Sequence, residues 1–376
     1  MQVITSESVF SGHPDKVCDQ ISDAILDAIL EQDKNARVAV ETAIKDDLVF
    51  VFGEVTTTAK VDYADIAKSK LREIGYEESF KVMEKISKQS PNIALGVDST
   101  ESHEQGAGDQ GIMFGYACNE TQELMPLPIM LANQISKEMD KARKEQYAHI
   151  FGPDGKCQVS VLYEKGKPKK VQTIVVSAQT KSWIRRELYE DIIINEVLPK
   201  VLDNKTIKEA EILINPTGEF VIGGPYADSG LTGRKIIVDT YGGYAKHGGG
   251  AFSGKDVSKV DRSAAYYARL VAKAVVGAGL ATHCEIQLGY VIGIAKPVSV
   301  YVNTFNTGIM SDDKIQQLVN QAFDFRPQHI KKELELDSVK FQKLAKYGHF
   351  GREDLNVRWE HVDGKIAELR KLYEKA

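Results

Sequence analysis

Cysteine is scarce in this sequence of 376 residues. The four cysteines, Cys18, Cys118, Cys157 and Cys284, lie far apart, with no C-x-x-C pair and no matched histidine spacing. That distribution argues against a disulfide framework and against a structural zinc site. We therefore expect four buried free thiols in a reducing compartment.

Long apolar runs are absent as well. The longest ones are too short to cross a bilayer, and the opening stretch MQVITSESVFSGHPDK lacks the apolar core of a signal peptide. These features predict a cytoplasmic protein with no membrane partner. The net charge of −5 provides no bulk basic surface for nucleic acid, so any anion site has to be local.

Several catalytic motifs are also missing. No segment matches G-x-x-x-x-G-K-[ST], and no G-x-G-x-x-G follows a strand with the expected acidic residue downstream. Neither G-x-S-x-G nor H-E-x-x-H occurs. The sequence therefore lacks the main motif of the phosphate-loop kinases and that of the dinucleotide dehydrogenases. Because no general-base pair emerges either, the sequence favours displacement of a polyphosphate leaving group, which depends on positioning and charge stabilisation.

What is present describes a globular protein of several domains. Its 43% hydrophobic and 27% charged residues are ordinary values, and its length exceeds the roughly 250–300 residues at which one core stops growing. Strands and helices alternate without strict β-α order, which predicts an α+β fold with mixed or antiparallel sheets covered by helices. Soft boundaries divide the chain into domains 1–101, 102–222 and 223–376.

Local patterns predict individual elements. A helix should begin near Pro14, since proline suits the first helical turn and apolar positions recur beyond it. Residues 157–163 and 170–177 predict a β-hairpin, and residues 183–202 predict a helix. The run from Lys235 to Val238 reads as a strand, and another helix should start at Ser263. The aperiodic stretch 89–104 predicts a lid over an active site.

The segment 239–262, DTYGGYAKHGGGAFSGKDVSKVDR, separates that strand-like run from that helix. Six glycines in it allow tight turns and bring backbone N–H groups against an anion. Lysines supply positive charge and aspartates supply hard oxygen ligands. We interpret the segment as a cradle for a phosphate chain. The alternative is a long surface loop with solvated charges.

Three further features carry smaller signals. The sequence GHPDK, residues 12–16, lies at a predicted helix start, where free N–H groups attract anions. His13 suits a phosphate oxygen and Asp15 suits Mg²⁺, although simple helix capping explains the pattern equally well. Glu41 and Glu54 interrupt β-rich runs, where a carboxylate needs a cationic partner if buried. The alternative is that both face water.

In this order, GHPDK, GAGDQG, DSGLTGRK and GGGAFSGKDVSKVDRSAAY resemble the S-adenosylmethionine synthetase (methionine adenosyltransferase) family over nearly the whole chain. Members of that family join methionine to ATP. The thioether sulfur attacks C5′ of the ribose and expels triphosphate, which is then hydrolysed to pyrophosphate and phosphate. A neutral thioether needs no deprotonation, which agrees with the missing general base.

The resemblance implies roles for individual residues. The implied catalytic residues are His13, Asp109, Lys156, Arg234 and Lys255. The implied ATP-binding residues are His13, Asp154, Lys156, Glu219, Phe220, Asp228, Arg234, Lys235, Ala251 and Lys255. Implied methionine contacts are Glu54, Gln89, Asp228 and Lys259. Implied metal ligands are Asp15 and Asp261 for two Mg²⁺ ions and Glu41 for K⁺. Glu219 stands where many bacterial members carry a basic residue, which leaves its side-chain role open.

The resemblance also implies three similar domains around a pseudo-threefold axis and a homodimer with active sites between its subunits, often paired into a tetramer. Two alternatives remain at this point: a non-catalytic nucleotide-binding subunit, and a polyphosphate hydrolase that does not use methionine. The complete charged set favours catalysis over the first alternative. A hydrolase would have no use for Glu54 or Gln89.

Overall fold

The computed structural model describes residues 1–89 and 105–375 of the chain. Its strands are β1 (Gln2–Val9), β2 (Arg37–Lys45), β3 (Leu48–Thr56), β4 (Lys81–Ser87), β5 (Gly111–Cys118), β6 (Phe151–Glu164), β7 (Lys167–Thr180), β8 (Glu211–Ile214), β9 (Gly230–Leu231), β10 (His283–Tyr290) and β11 (Ser299–Asn303). Its α-helices are α1 (Pro14–Gln32), α2 (Tyr63–Ile74), α3 (Leu127–Ala142), α4 (Arg186–Ile192), α5 (Asn204–Glu209), α6 (Ile236–Asp239), α7 (Val260–Gly277), α8 (Asp312–Ala322), α9 (Pro327–Glu333) and α10 (Asp363–Tyr373). Apart from Gln89, the predicted lid lies outside the described residues.

The described strands form three sheets, in the orders β1-β6-β7-β8, β4-β3-β2-β9 and β11-β10-β5. The predicted α+β fold with mixed and antiparallel sheets is thereby confirmed. β1 pairs antiparallel with β6, from Gln2 opposite Tyr163 to Val9 opposite Lys156. The first strand of the chain therefore belongs to the sheet of the central segment, and the three sheets are not three consecutive pieces of sequence.

Helix α1 forms where the sequence predicts it, with Pro14 in its first turn and His13 as its N-cap. Its apolar positions Val17 and Ile21 are fully buried, as are Val38 and Val40 of β2, in the same hydrophobic core. Alternate residues of β2 and β3 point to the opposite face of their sheet. This arrangement leaves one face of the sheet toward α1 and the other face open in the single chain.

Helix α7 is buried along almost its whole length. It runs against β5 so closely that a Cβ on Gly115 would lie 2.0 Å from the carbonyl carbon of Ala268. Only glycine permits that approach between strand and helix backbones. The glycine-rich segment 239–259 that precedes α7 is thereby anchored at its carboxyl end.

Two local predictions are wrong. The run Lys235–Val238 is not a strand, because residues 236–239 form the short helix α6, in which the Asp239 N–H donates to the Lys235 carbonyl at 2.9 Å. The neighbouring edge of β2 is already taken by β9 and by an isolated bridge between Ala39 and Lys255. Helix α7 begins at Val260 rather than at Ser263, which places Asp261 in its first turn.

Other predictions are confirmed or need small adjustments. The β6–β7 hairpin is present and longer than predicted. The helix predicted over 183–202 begins at Arg186 and continues from α4 through a π-helical turn, Ile193–Val197. All four cysteines are free and buried. Among the described helices none combines the length and the apolar content needed to cross a membrane.

Candidate active site

The amino terminus of α1 sets the protonation of His13. The imidazole Nδ1 accepts a hydrogen bond from the Asp15 N–H at 3.2 Å, so the proton of the neutral ring resides on Nε2. Burial, followed by the positive charges of Lys235 and Lys156, lowers the pKa of His13 from 6.5 to about 3. At neutral pH, His13 is therefore an uncharged hydrogen-bond donor at a helix start.

Asp15 contacts the positive side chains that lie around that helix start. Its carboxylate is buried and accepts the Leu231 N–H at 3.0 Å. It also contacts Lys235 Nζ at 2.6 Å and Arg234 Nε at 3.5 Å. The motif DSGLTGRK is thus joined directly to GHPDK, as expected if both contact one anion. The Arg234 side chain is about half exposed and available to a ligand.

Three further predicted residues complete this group. Asp154 is buried, its carboxylate accepts the Gly224 N–H at 2.8 Å, and burial raises its pKa to about 6. Lys156 is exposed on β6, and both Lys156 and Asp228 are close enough to His13 to influence its pKa. We call the following set the amino-terminal cluster: His13, Asp15, Asp154, Lys156, Asp228, Arg234 and Lys235.

A second group lies on the glycine-rich segment. Lys255 Nζ contacts the Asp261 carboxylate at 2.6 Å, and Lys259 Nζ contacts the Asp256 carboxylate at 2.7 Å. The Gly108 N–H donates to the Ser258 carbonyl at 3.3 Å, which brings the exposed Asp109 beside this segment. We call the following set the glycine-loop cluster: Asp109, Lys255, Asp256, Lys259 and Asp261.

The glycine-rich segment is not a loose surface loop at this point. The Val40 N–H donates to the Gly254 carbonyl and the Asp256 N–H donates to the Val38 carbonyl, both at 3.0 Å. The Val38 N–H in turn donates to the Asp256 carboxylate at 2.7 Å. The lysines of the glycine-loop cluster are therefore held on the edge of β2, which favours the anion-cradle interpretation.

Four aspartates on one face of α1 connect the loops that carry both clusters. They recur every fourth residue, a spacing that places them on one side of a helix. Each carboxylate accepts a backbone N–H of another segment, and each is at most 3% exposed. The pairs are Asp15 with Leu231, Asp19 with Gly233, Asp23 with Gly254, and Asp27 with Phe341. Sequence reasoning missed this aspartate face, although its regular spacing inside an apolar helix was visible.

In the described part of the chain, the two clusters are not bonded directly to each other. Among residues 1–89 and 105–375, no hydrogen bond or ion pair joins a side chain of one cluster to a side chain of the other. The sheet face opposite α1 remains open beside the glycine-loop cluster. Glu41 and Glu54 are exposed on this face, as the alternative interpretation predicted, and the half-buried rings of Phe50 and Phe52 stack there, 4.9 Å apart.

The remaining predicted residues are spread around these clusters. Phe220 is half-buried, and its carbonyl accepts the Thr180 N–H at 2.8 Å, whereas Glu219 is exposed. A Cβ on Gly233 would lie 2.6 Å from the Cβ of Ala251, so Ala251 packs against the segment that carries Arg234. Gln89 is the last described residue before the gap.

The carboxylates fit a hard divalent cation that is shared with phosphate. The described residues contain no group of three or more His, Cys, Asp or Glu side chains arranged around one metal position. Asp15 and Asp261 each present an oxygen to a lysine ammonium at 2.6 Å, which shows that both carboxylates face a cation. Mg²⁺ commonly binds through one or two carboxylates and takes its other ligands from phosphates and water. Such a donor set is present here.

Lysine and arginine side chains beside a neutral histidine are the groups that suit a site of the polyphosphate-binding class. Three family models match the chain in succession. They are the N-terminal domain (residues 1–91), the central domain (104–220) and the C-terminal domain (222–361) of S-adenosylmethionine synthetase. The chain therefore belongs to the S-adenosylmethionine synthetase family, the enzymes that make S-adenosylmethionine from ATP and L-methionine.

Individual relatives agree over the full length. The S-adenosylmethionine synthase of Prochlorococcus marinus subsp. pastoris is 50% identical, over 98% of this chain and 97% of the relative. The enzyme of Prochlorococcus marinus strain MIT 9515 is 49% identical over the same shares. The resemblance drawn from the four motifs is thus confirmed for the whole chain.

Proposed function

We propose that this chain makes S-adenosylmethionine in active sites that two copies build together. One copy supplies the amino-terminal cluster and the other supplies the glycine-loop cluster. The observation that carries this proposal is that, among the described residues, no side-chain hydrogen bond or ion pair joins the two clusters within a single chain. Each cluster alone holds only part of the charge that a triphosphate needs. The open face with Phe50 and Phe52 adjoins the glycine-loop cluster and supports association there.

The triphosphate of ATP binds to the positive side chains of both clusters. Lys156, Arg234 and Lys235 from one copy and Lys255 from the other stabilise the charge that develops as triphosphate leaves C5′. His13 donates its Nε2–H to the departing oxygen without adding a positive charge of its own. No residue has to remove a proton, because the attacking thioether sulfur is neutral.

The nucleoside and methionine bind between the two clusters. Asp154 and Phe220 hold the nucleoside, with adenine stacked on the phenyl ring, and Ala251 contacts ATP from the glycine-rich segment. The side chain of Glu219 is exposed, which supports a contact through its backbone only. Asp109 lies near the new sulfonium, whose positive charge suits a carboxylate. Methionine is held by Glu54, Gln89, Asp228 and Lys259.

Metal ions complete the site. The family is metal-dependent, and we assign two Mg²⁺ ions to Asp15 and Asp261 and one K⁺ to Glu41. Bound Mg²⁺ supplies positive charge to the phosphate oxygens. The chain's own part is to offer one carboxylate at each position and to keep a lysine beside it.

We assign the protein to the cytoplasm as a homotetramer of two such dimers. The four buried free thiols support a reducing compartment. The tetramer is the arrangement that the family resemblance implies, and native mass spectrometry at micromolar concentration will decide between dimer and tetramer.

The direct test is to incubate the purified protein with ATP, L-methionine, Mg²⁺ and K⁺ and to look for the sulfonium product by mass spectrometry. Lys255→Met should lower turnover by about 10²-fold or more, because the leaving-group charge loses a partner. Lys208→Met, at an exposed lysine of α5, serves as the control and should leave turnover unchanged. A wild-type protein that hydrolyses ATP without forming a sulfonium would contradict the proposal.

A further inference from the structure

Lys16 is a fully buried lysine that the proposed reaction does not use. Its ammonium lies 2.9 Å from the Asp19 carboxylate and also contacts the Asp239 carboxylate. The side chain is therefore paired with two carboxylates, enclosed by protein, and cannot touch a substrate.

Its two partners lie on either side of the residues proposed to bind phosphate. Asp19 accepts the Gly233 N–H at 2.9 Å, immediately before Arg234 and Lys235. Asp239 closes helix α6, four residues after Lys235, and its N–H donates to the Lys235 carbonyl at 2.9 Å. One ammonium thus ties both ends of segment 233–239 to helix α1.

The far side of Asp239 is fixed as well. Its backbone carbonyl accepts the His349 N–H at 2.9 Å, and His349 Nδ1 lies 2.8 Å from the hydroxyl of Tyr266 in α7. Because His349 and Tyr266 are fully buried, Asp239 has little freedom to move away from Lys16. Lys16 is therefore one of the contacts that hold segment 233–239 in place.

We infer that Lys16 is a positioning residue for triphosphate binding: it holds segment 233–239 so that Arg234 and Lys235 converge on Asp15. The inference rests on the proposed assignment of the triphosphate to Arg234 and Lys235. Misplacing a binding group by about 1 Å is enough to lower activity by about 10²-fold. Removing the ammonium should therefore impair phosphate binding before it affects methionine.

The chain offers a matched control in Lys273. This lysine is also buried and paired with two carboxylates, Glu353 at 2.9 Å and Glu360 at 2.8 Å. Neither partner holds a segment that carries residues of the two clusters. Lys273→Met should therefore destabilise the protein as a lost buried ion pair does, without a selective effect on phosphate binding.

The experiment measures the Kd for tripolyphosphate with Mg²⁺ by calorimetry, the KM for methionine, and the thermal midpoint. For Lys16→Met and Asp239→Asn we expect the tripolyphosphate Kd to rise by about tenfold or more, with the methionine KM changed by less than about twofold. Lys16→Arg, which keeps the charge, should recover part of the affinity. Lys273→Met should lower the thermal midpoint and leave the tripolyphosphate Kd unchanged.

Each result decides the matter. If Lys16→Met fails to fold, Asp239→Asn still tests the inference. The asparagine keeps the shape of the aspartate side chain and loses only its charge. Normal tripolyphosphate affinity in the folded variants, together with weakened binding in Lys235→Met, would overturn the inference alone. Normal affinity in Lys235→Met would overturn the proposed phosphate site, and the inference with it.

Discussion

A single backbone hydrogen bond determines what His13 is able to do. Because Nδ1 accepts the Asp15 N–H at the helix start, the other ring nitrogen carries the proton and points its donor away from the cap. Burial and the nearby lysines keep the ring neutral by lowering its pKa to about 3. The same contacts that cap α1 therefore prepare a donor for a phosphate oxygen.

The replacement His13→Asn tests this role. Asparagine is a good N-cap, so the helix start should survive, while the donor toward the ligand is lost. We expect kcat to fall by about 10²-fold. The ratio of wild-type to variant kcat should stay constant from pH 6 to 9, since the pKa of His13 is about 3.

His361→Asn, at an exposed histidine, is the control and should have wild-type kcat at every pH. A ratio that changes several-fold around pH 6.5 would show that His13 titrates in the working range. That result would contradict the assignment of a neutral donor.

At the scale of the element, helix α1 holds the loops of the site in place through hydrogen bonds. Its four buried aspartates accept N–H groups from segments more than 200 residues away in sequence. Buried carboxylates require such partners, since an unpaired charge is expensive in a protein interior. The helix therefore fixes the positions of these segments relative to one another.

The last aspartate of that face makes stability depend on pH. Burial, and then the charge of Asp23, raises the pKa of Asp27 from 3.8 to about 6. The folded protein therefore keeps a proton that the unfolded chain releases above pH 3.8, so this contribution to stability is lost as the pH rises through 6. Between pH 4 and 7, wild type should lose up to about 3 kcal/mol relative to Asp27→Asn, which does not titrate.

Urea unfolding of both proteins at pH 4, 5, 6 and 7 measures that difference. Asp27→Asn should be less stable at pH 4, since asparagine cannot accept both the Phe341 and Gln342 N–H groups. The difference in free energy of unfolding between the two proteins should then become smaller as the pH rises. A gap that is constant or widens with pH would contradict the raised pKa of Asp27.

Gly254 tests how tightly the glycine-rich segment is held against β2. Its φ is +80°, and a Cβ there would lie 1.9 Å from the Val40 carbonyl oxygen. We expect Gly254→Ala to lower the apparent free energy of unfolding by about 2 kcal/mol or more. Gly364→Ala in α10, where no atom of the described residues lies within 4 Å of the added methyl group, should leave stability equal or slightly higher. Equal thermal midpoints for the two variants would contradict the tight contact.

Elements with strong local signals were predictable, and those fixed by distant contacts were not. Helix α1 and the β6–β7 hairpin follow from proline placement, apolar periodicity and a charged turn. The run Lys235–Val238 has β-branched residues, but the neighbouring edge of β2 already pairs with β9 and Lys255, and the run forms a helix. The pairing of β1 with β6 and the long-range contacts of Asp19 and Asp23 depend on partners that lie far away in sequence, which no local pattern specifies.

At the scale of the whole molecule, the main consequence concerns the two clusters. The motifs of both were visible in the sequence, and the family resemblance implied that they converge in one site. In the described chain no side-chain hydrogen bond or ion pair joins them: one lies at the amino terminus of α1 and the other on the edge of β2. A shared site between two subunits reconciles these facts, and it predicts that defects in different clusters complement each other.

Co-expression of Lys235→Met with Lys255→Met is the most direct measurement of that claim. In a mixed dimer, one site carries both defects and the other carries neither. Random assortment should therefore restore about a quarter of wild-type activity. As a control, Lys235→Met with His13→Asn places both defects in the amino-terminal cluster and should restore nothing. If Lys235→Met with Lys255→Met also gives no more activity than either variant alone, the sites are not shared between subunits.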